Sequence, residues 1–445
     1  MRLLPTLVLA LPILSFALTS TTHEAHACGG CAVQQGESTQ VTGHRMILSV
    51  SQTQTTLWDQ ITYSGNPSDF AWILPIKGQV DIELSSDALF ETLDQITQVQ
   101  ILSPLIQCTP PPVCGDEDFA GGSAGAGGAG GGEGVVVIAQ EVVGPYETVQ
   151  LSASDPAALK NWLSANNYNI PAEAQGVVDG YQAEGFDFLA LKLVPGQGVS
   201  SMRPVRVTSQ GATPILPLRM VAVGTGAITP ISLWVFGEGR YEPGNFPWFT
   251  IKAEDLTWNW DTSSSDYKTV RQAAFDKEKG HAWHVESAEP FSLWYLDQLR
   301  WLAESSPKES GYADPNGEGA VEACEADLAA LTTGISEQTL WVSKLHADLP
   351  RSALANDLEV GASADQSLVS RVLETSKSVG TPPACPVFDP CPDASETNTW
   401  DGFWEENSAA GGSGGCAMGG NTGIPATMGL LGLAAAVTLV RRRRR

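Results

Sequence analysis

The stretch "DPNGEGAVEACE" at 314–325 places Asp314, Asn316 and Glu318 at positions one, three and five of a calcium-binding loop, with Gly319 at six and Glu325 at twelve. Oxygen donors at that spacing can wrap a hard cation, and a bidentate carboxylate at the last position closes the shell. Ca²⁺ is therefore the cofactor this stretch would take. Its alternative use is a turn leading into an acidic helix start, where carboxylates suit the helix dipole. A second pair, His281 and His284 in "GHAWHVE", offers imidazole nitrogens to a metal and needs a third contributor such as His44 or His346. No G-x-S-x-G elbow, H-E-x-x-H helix, Walker loop or dinucleotide fingerprint accompanies them, so no catalytic residue is assigned.

Eight cysteines suggest a disulfide framework. Cys28 and Cys31 sit in "CGGC", Cys108 and Cys114 flank "TPPPV", and Cys385 and Cys391 flank "PVFDP", three spacings that favour local pairs. Cys324, on an expected helix, is either the odd thiol or a partner for Cys28 or Cys31. Cys416 belongs to a different feature, "GCAMGGNTGIPATMGLLGLAAAVTLVRRRRR" at the C-terminal end.

Both ends carry targeting signals. Residues 1–27 read as a signal peptide, with an apolar run ending in Ala25-His26-Ala27 and cleavage between Ala27 and Cys28. Residues 424–440 are apolar and long enough to span a membrane only just, and the five arginines at 441–445 would remain cytoplasmic. The expected partners are the export machinery and signal peptidase, then a protease that processes the tail. The expected location is the cell envelope or surface. The N-terminal segment is neutral (Arg2 against Glu24), so losing it together with the five arginines takes the formal charge from −25 to −30. Such a surface repels nucleic acid, which is excluded as a partner.

The elements between these ends point to an α+β class built mainly on antiparallel sheet with packed helices, followed by a flexible stalk and a C-terminal transmembrane helix. Alternating apolar residues predict a hairpin over 45–65 with one buried face, and "SSDALFETLDQIT" predicts a helix capped by Ser86 or Asp87. Helices are expected in "SDPAALKNWLSANN" and "AEAQGVVDGYQAEG", and strands in "FDFLALKLVPG", "MRPVRVTSQ", "TPILPLRMVAVG" and "PISLWVFGEG". In "SLWYLDQLRWLAE", Leu293, Leu296, Leu299 and Leu302 make a helical stripe to pack on the sheet. The expected organisation is a body over 28–378, with a glycine-rich insert at 121–134 and a more helical part at 291–378. A Pro/Gly-rich stalk at 379–415 and a tail at 416–445 follow. Trp258 and Trp260 in "TWNWD", with Trp248 in "NFPWFT", either fill the core or stack on a ligand.

Segments in order along the body, among them "YSGNPSDFAWILPI" at 63–76, "AEGFDFLALKL" at 183–193, "LWVFGEGR" at 233–240 and "VSKLHADLPRSAL" at 342–354, resemble a family of exported bacterial proteins known as domain-of-unknown-function family 2330. The glycine-rich insert and the Cys31-Ala32-Val33 sequence after "CGG" depart from the family's pattern. The resemblance brings no assigned activity and no functional residue. The tail is similar to tripartite sorting signals of myxobacteria, which implies cutting near Cys416, with that cysteine bearing the anchor. Taken together, the sequence predicts a noncatalytic binding or structural component of the envelope whose ligand it does not name; the other reading is an extracytoplasmic hydrolase with a site assembled from scattered residues.

Overall fold

The computed structural model describes residues 31–33, 40–64, 70–108, 141–152, 158–166, 172–194, 202–223 and 225–387. The chain divides into two compact units, one of 1–107 with 126–384, the other of 108–125 with 385–445. The signal segment with Ala27 and Cys28, the insert at 121–134, Cys114, Cys391, the stalk from 388, Cys416 and the 424–440 segment all lie outside the described residues. Among the described residues, no helix is long and apolar enough to cross a membrane.

The larger unit is α+β with mostly antiparallel pairing and, among the described residues, seven α-helices. Among the described residues its main sheet has eight strands: β1 (Gln40–Val50), β2 (Gln54–Ser64), β3 (Val80–Leu84), β4 (Val205–Gln210), β5 (Ile228–Glu238), β6 (Trp248–Phe249), β7 (Trp283–Pro290) and β8 (Leu340–Pro350). Their order across the sheet is β6-β7-β8-β5-β1-β2-β4-β3. The predicted hairpin is β1 and β2, but it lies inside the sheet rather than at a solvated face. Met46 and Leu48 pack into one core while Ile47 packs into the other, so β1 is buried on both sides. The β5–β1 contact is parallel, which consecutive short loops do not foretell.

One face of the main sheet is covered by helices α1 (Asp87–Ile96), α6 (Asp297–Ser305) and α7 (Ala320–Thr332), whose Leu89, Phe90, Leu93, Leu299 and Leu328 meet Ile47, Trp58, Trp234 and Phe236. Helix α1 begins as its sequence predicts, with the Ser86 hydroxyl accepting from the Ala88 N–H at 3.1 Å. On the other face, Leu218 and Val221 of the short α4 (Leu218–Val221), with Leu354 and Leu358, cover Leu233, Val235, Trp283 and Val285. The strand expected over "TPILPLRMVAVG" is reduced to Ile215–Leu216, and the chain turns into α4 after Pro217. Pro217 has no N–H to continue a ladder, which explains the break.

A second sheet, of five strands among the described residues, uses Phe70–Ile76 and Asp187–Leu193 at its centre. Trp72, Leu74, Leu189 and Leu191 from one face meet Leu57, Val205 and Val207 of the main sheet. Its other face is covered by α2 (Ala158–Ala165) and α3 (Ala172–Ala183) through Leu159, Leu163, Val178 and Tyr181. Within the part over 291–378, α6 and α7 are followed by β8, which pairs with both β5 and β7.

In the smaller unit, Cys108 is bonded to Cys385 with Cα atoms 5.4 Å apart. The local pairs expected for Cys108 with Cys114 and Cys385 with Cys391 are therefore replaced by a long-range bridge, 277 residues apart in sequence. Short spacing between cysteines around prolines is a poor guide, since a disulfide needs close Cα atoms in the folded chain rather than in the sequence. Of the two outcomes open to Cys324, the odd thiol or a partner for Cys28 or Cys31, the structure has it free and buried.

Candidate functional site

The acidic loop between α6 and α7 gathers Asp314, Asn316 and Glu318 but not Glu325. The Asp314 carboxylate accepts from the N–H groups of Asn316 at 2.9 Å and Glu318 at 2.8 Å, and from the Asn316 side chain at 3.2 Å. These backbone bonds, led by the one from Glu318, hold its carboxyl below the usual range. Gly319, with φ of 72°, then sets the left-handed N-cap of α7. Glu325, on the helix itself, accepts from Arg300 at 2.8 Å, and Arg300 also donates to Asp297 at 2.6 Å. The loop thus builds a helix start. Among the described residues no group of three or more His, Cys, Asp or Glu side chains is placed to hold a metal. Because Glu325 and its arginine are exposed or half-exposed, Glu325→Ala should change stability by less than about 1 kcal/mol in urea titration, and a larger loss would show that the pair braces α6 against α7.

His281 and His284 separate. His281 precedes β7 and its Nε2 lies 3.0 Å from the Ser352 hydroxyl. His284 lies on β7 directly opposite His346 of β8, buried, with its ring stacked on Phe249 at 4.9 Å between centroids. Burial pushes the His284 imidazole down to about 3, and the charges of Arg271 and His346 push the same way, so it is neutral at physiological pH. Beside it, Glu286 lies between Arg271 at 3.6 Å and Lys344 at 3.5 Å, with His284 Nδ1 at 3.9 Å. Lys344 in turn reaches Asp94 of α1 at 2.9 Å. This is a set of mutually compensating charges on α1, β7, β8 and α5 (Tyr267–Lys277), which ties helices to strands.

A second buried set was not foreseen from the sequence. Asp327 of α7 has no exposed surface. Its carboxylate accepts from Trp58 Nε1 at 2.9 Å, Arg206 Nη1 at 2.7 Å and Tyr312 Oη at 2.9 Å, and also from the Ser85 hydroxyl. Burial pushes the carboxyl up, while the Arg206 charge and the neutral donors pull against it. The donors come from β2, β4, the residue after β3 and the turn before α7, so one side chain gathers four parts of the chain. Nothing in the spacing of these residues announces the cluster, because each partner is more than 100 positions from Asp327 except Tyr312.

The open feature of this unit is aromatic. In the turn Leu293–Leu296 that leads into α6, the leucine stripe faces inward as predicted, with Leu296 and Leu299 buried. Trp294, Tyr295 and Trp301 lie off that stripe and are 64%, 40% and 64% exposed. Trp294 and Tyr295 rings lie 4.4 Å apart, and Tyr295 is also 5.6 Å from Phe291. A hollow of about 390 Å³ adjoins Trp294, lined also by Phe291, Ser292, Leu293, Glu337, Gln338 and Leu340. A second hollow, of about 90 Å³ between the two sheets, is well below the size of a usual ligand site. The tryptophans named from the sequence behave differently: Trp258 and Trp260 are half-buried against each other at 6.2 Å, and Trp248 has the Arg240 guanidinium over its ring at 5.3 Å.

These features define an α+β protein whose buried ionisable groups brace its elements and whose exposed side carries an aromatic ledge beside a hollow. The chain belongs to a bacterial family described as "Uncharacterized protein conserved in bacteria (DUF2330)", whose model matches residues 22–359. No protein with a curated description matches it. Among solved structures, it is similar to the crystal structure of baculovirus P35 with a TM-score of 0.25 and 10% identity, over 47% of this chain and 68% of that one. A likeness that weak carries no argument.

Proposed function

We propose that this chain is an exported component of the bacterial envelope that acts by binding rather than by catalysis. The Cys108–Cys385 bridge is the observation that carries the reading, because a structural disulfide persists in extracytoplasmic compartments and is rare in a reducing cytosol. The signal-like residues 1–27 and the tail at 416–445 support the same compartment. Two further observations support binding over chemistry. The buried charges around Asp327 and Glu286 are already partnered within the fold, and Cys324 has its thiol pushed up to about 12 by burial, far from a reactive thiolate. The ledge of Trp294, Tyr295 and Trp301 is the exposed surface suited to a ligand.

Fractionation tests the location directly. The protein recovered from the envelope should begin at Cys28 and end near Cys416, with Cys108 unreactive to maleimide until a reductant is added. Recovery from the cytosol with Met1 and all five terminal arginines retained would sink the proposal. Reduction should also lower the unfolding free energy by about 2–5 kcal/mol, read in paired urea titrations with and without reductant.

A further inference from the structure

We infer that the ledge formed by Trp294, Tyr295 and Trp301 is a binding site for an uncharged oligosaccharide. This rests on the proposal that the protein acts by binding in the envelope, and it adds the site and the ligand class. Sugar rings present faces of C–H groups that lie flat on aromatic rings, and hydroxyls at the edges that need hydrogen-bonding partners. The ledge supplies both kinds of contact. Trp294 and Tyr295 form one aromatic patch, their centroids 4.4 Å apart. Trp301 lies seven residues further on, about 10–12 Å along the 3-10 turn and α6. That separation suits a chain of linked rings better than a single sugar. Beside Trp294, the hollow of about 390 Å³ offers Glu337, Gln338 and Ser292 as hydrogen-bonding side chains, with Phe291 and Leu293 also among its lining.

Charge narrows the class. Asp297, Glu304 and Glu337 are exposed around the ledge. The cation of α6, Arg300, is held between Asp297 at 2.6 Å and Glu325 at 2.8 Å. The chain as a whole carries a formal charge of −25. An anionic polysaccharide or an anionic lipid surface would meet repulsion there. A neutral glycan meets none, and its hydroxyls can donate to Glu337. The aromatic rings are also poorly explained by folding alone, since three large side chains would otherwise gain from facing the core, as the leucines of the same segment do.

The test is isothermal titration of the full chain with the neutral tetrasaccharide of N-acetylglucosamine, alongside the anionic tetrasaccharide of galacturonic acid. The neutral tetramer should bind and the anionic one should not. Trp294→Ala and Trp301→Ala should each weaken binding about tenfold, the size of one lost aromatic contact. Glu337→Ala should weaken it by a similar factor, since hydrogen bonds to charged groups are worth more than neutral ones. Trp258→Phe, away from the ledge, serves as the folded control and should bind as the parent does. Preference for the anionic sugar, absence of heat with both sugars, or ledge variants of unchanged affinity would each overturn the inference. So would concentration-dependent self-association in sedimentation that Trp294→Ala abolishes, which would make the ledge a contact between copies. None of these results bears on export, which the termini and the Cys108 labelling test separately.

Discussion

Asp327→Ala should lower the unfolding free energy by about 3–5 kcal/mol, the largest loss expected from a single side chain in this protein. The Asp327 carboxylate is fully buried and takes hydrogen bonds from Trp58, Arg206, Tyr312 and Ser85. Truncation removes an acceptor and leaves Arg206 as a buried cation whose other partner, Glu83, is 58% exposed. It also strands the Trp58 indole N–H and the Tyr312 hydroxyl without water to replace the lost bonds. A variant with both charges removed separates these causes. Asp327→Leu with Arg206→Met replaces the pair by apolar side chains, and it should recover a large part of the loss, because breaking a buried pair costs more than deleting it. Urea titrations of the parent, the single and the double variant decide the matter. If Asp327→Ala costs less than about 1 kcal/mol, water reaches the cluster and it does not brace α7 against the sheet. If the double variant is no better than the single, the hydrogen bonds from Trp58 and Tyr312 outweigh the orphaned guanidinium.

This network also marks where the sequence stops being readable. Local patterns announced α1 with a cap at Ser86 or Asp87, of which Ser86 takes the role, the β1–β2 hairpin and the inward leucines of α6, because each depends on residues near one another in sequence. They did not announce that β5 pairs in parallel with β1, or that β8, at residues 340–350, completes the sheet next to it. Those contacts join residues 102 to 187 positions apart, and periodicity carries no information about which strand lies next to which. Pro217 shows a smaller failure of the same kind. The apolar run around it reads as a strand until the missing N–H is counted, and it then becomes two paired residues followed by α4.

The candidate site was legible in a different proportion. The calcium-like spacing of Asp314, Asn316, Glu318 and Glu325 depends on the loop wrapping inward, yet the carboxylate at 314 is turned to its own backbone and that at 325 to Arg300. Spacing fixes which oxygens exist, not which donors reach them first. The ledge, by contrast, was present in the sequence as a residue count. Within "SLWYLDQLRWLAE" the leucines fill one stripe, so the three aromatics that fall off it must either pack elsewhere or face solvent, and they face solvent. The disulfide sits between these cases: eight cysteines announced oxidation, but only the folded chain shows that Cys108 meets Cys385.

Acid should destabilise the fold through His284, and His284→Phe should flatten that response. In the folded chain the imidazole is held down to about 3, against 6.5 for an ordinary histidine. The unfolded chain therefore takes up the proton first as pH falls. A group whose folded value is depressed stabilises the fold fully above the unfolded value, and that contribution is lost as pH drops through the window from 6.5 toward 3. The loss from this one site is about 1.4 kcal/mol per pH unit within the window. Protonated His284 would be a buried cation facing Lys344 and His346 on β8 and Arg271 on α5, with Glu286 and Asp348 as the nearby anions and Asp94 of α1 already bonded to Lys344. Phenylalanine at 284 keeps a flat ring against Phe249 and removes the proton site. All other titrating groups are common to both proteins, so the difference between their stability curves isolates His284. Urea titrations at pH 7, 6, 5 and 4 should show the parent losing stability faster than the variant at each step below 6.5, and parallel curves would mean that water or Glu286 accommodates the imidazolium in the folded state.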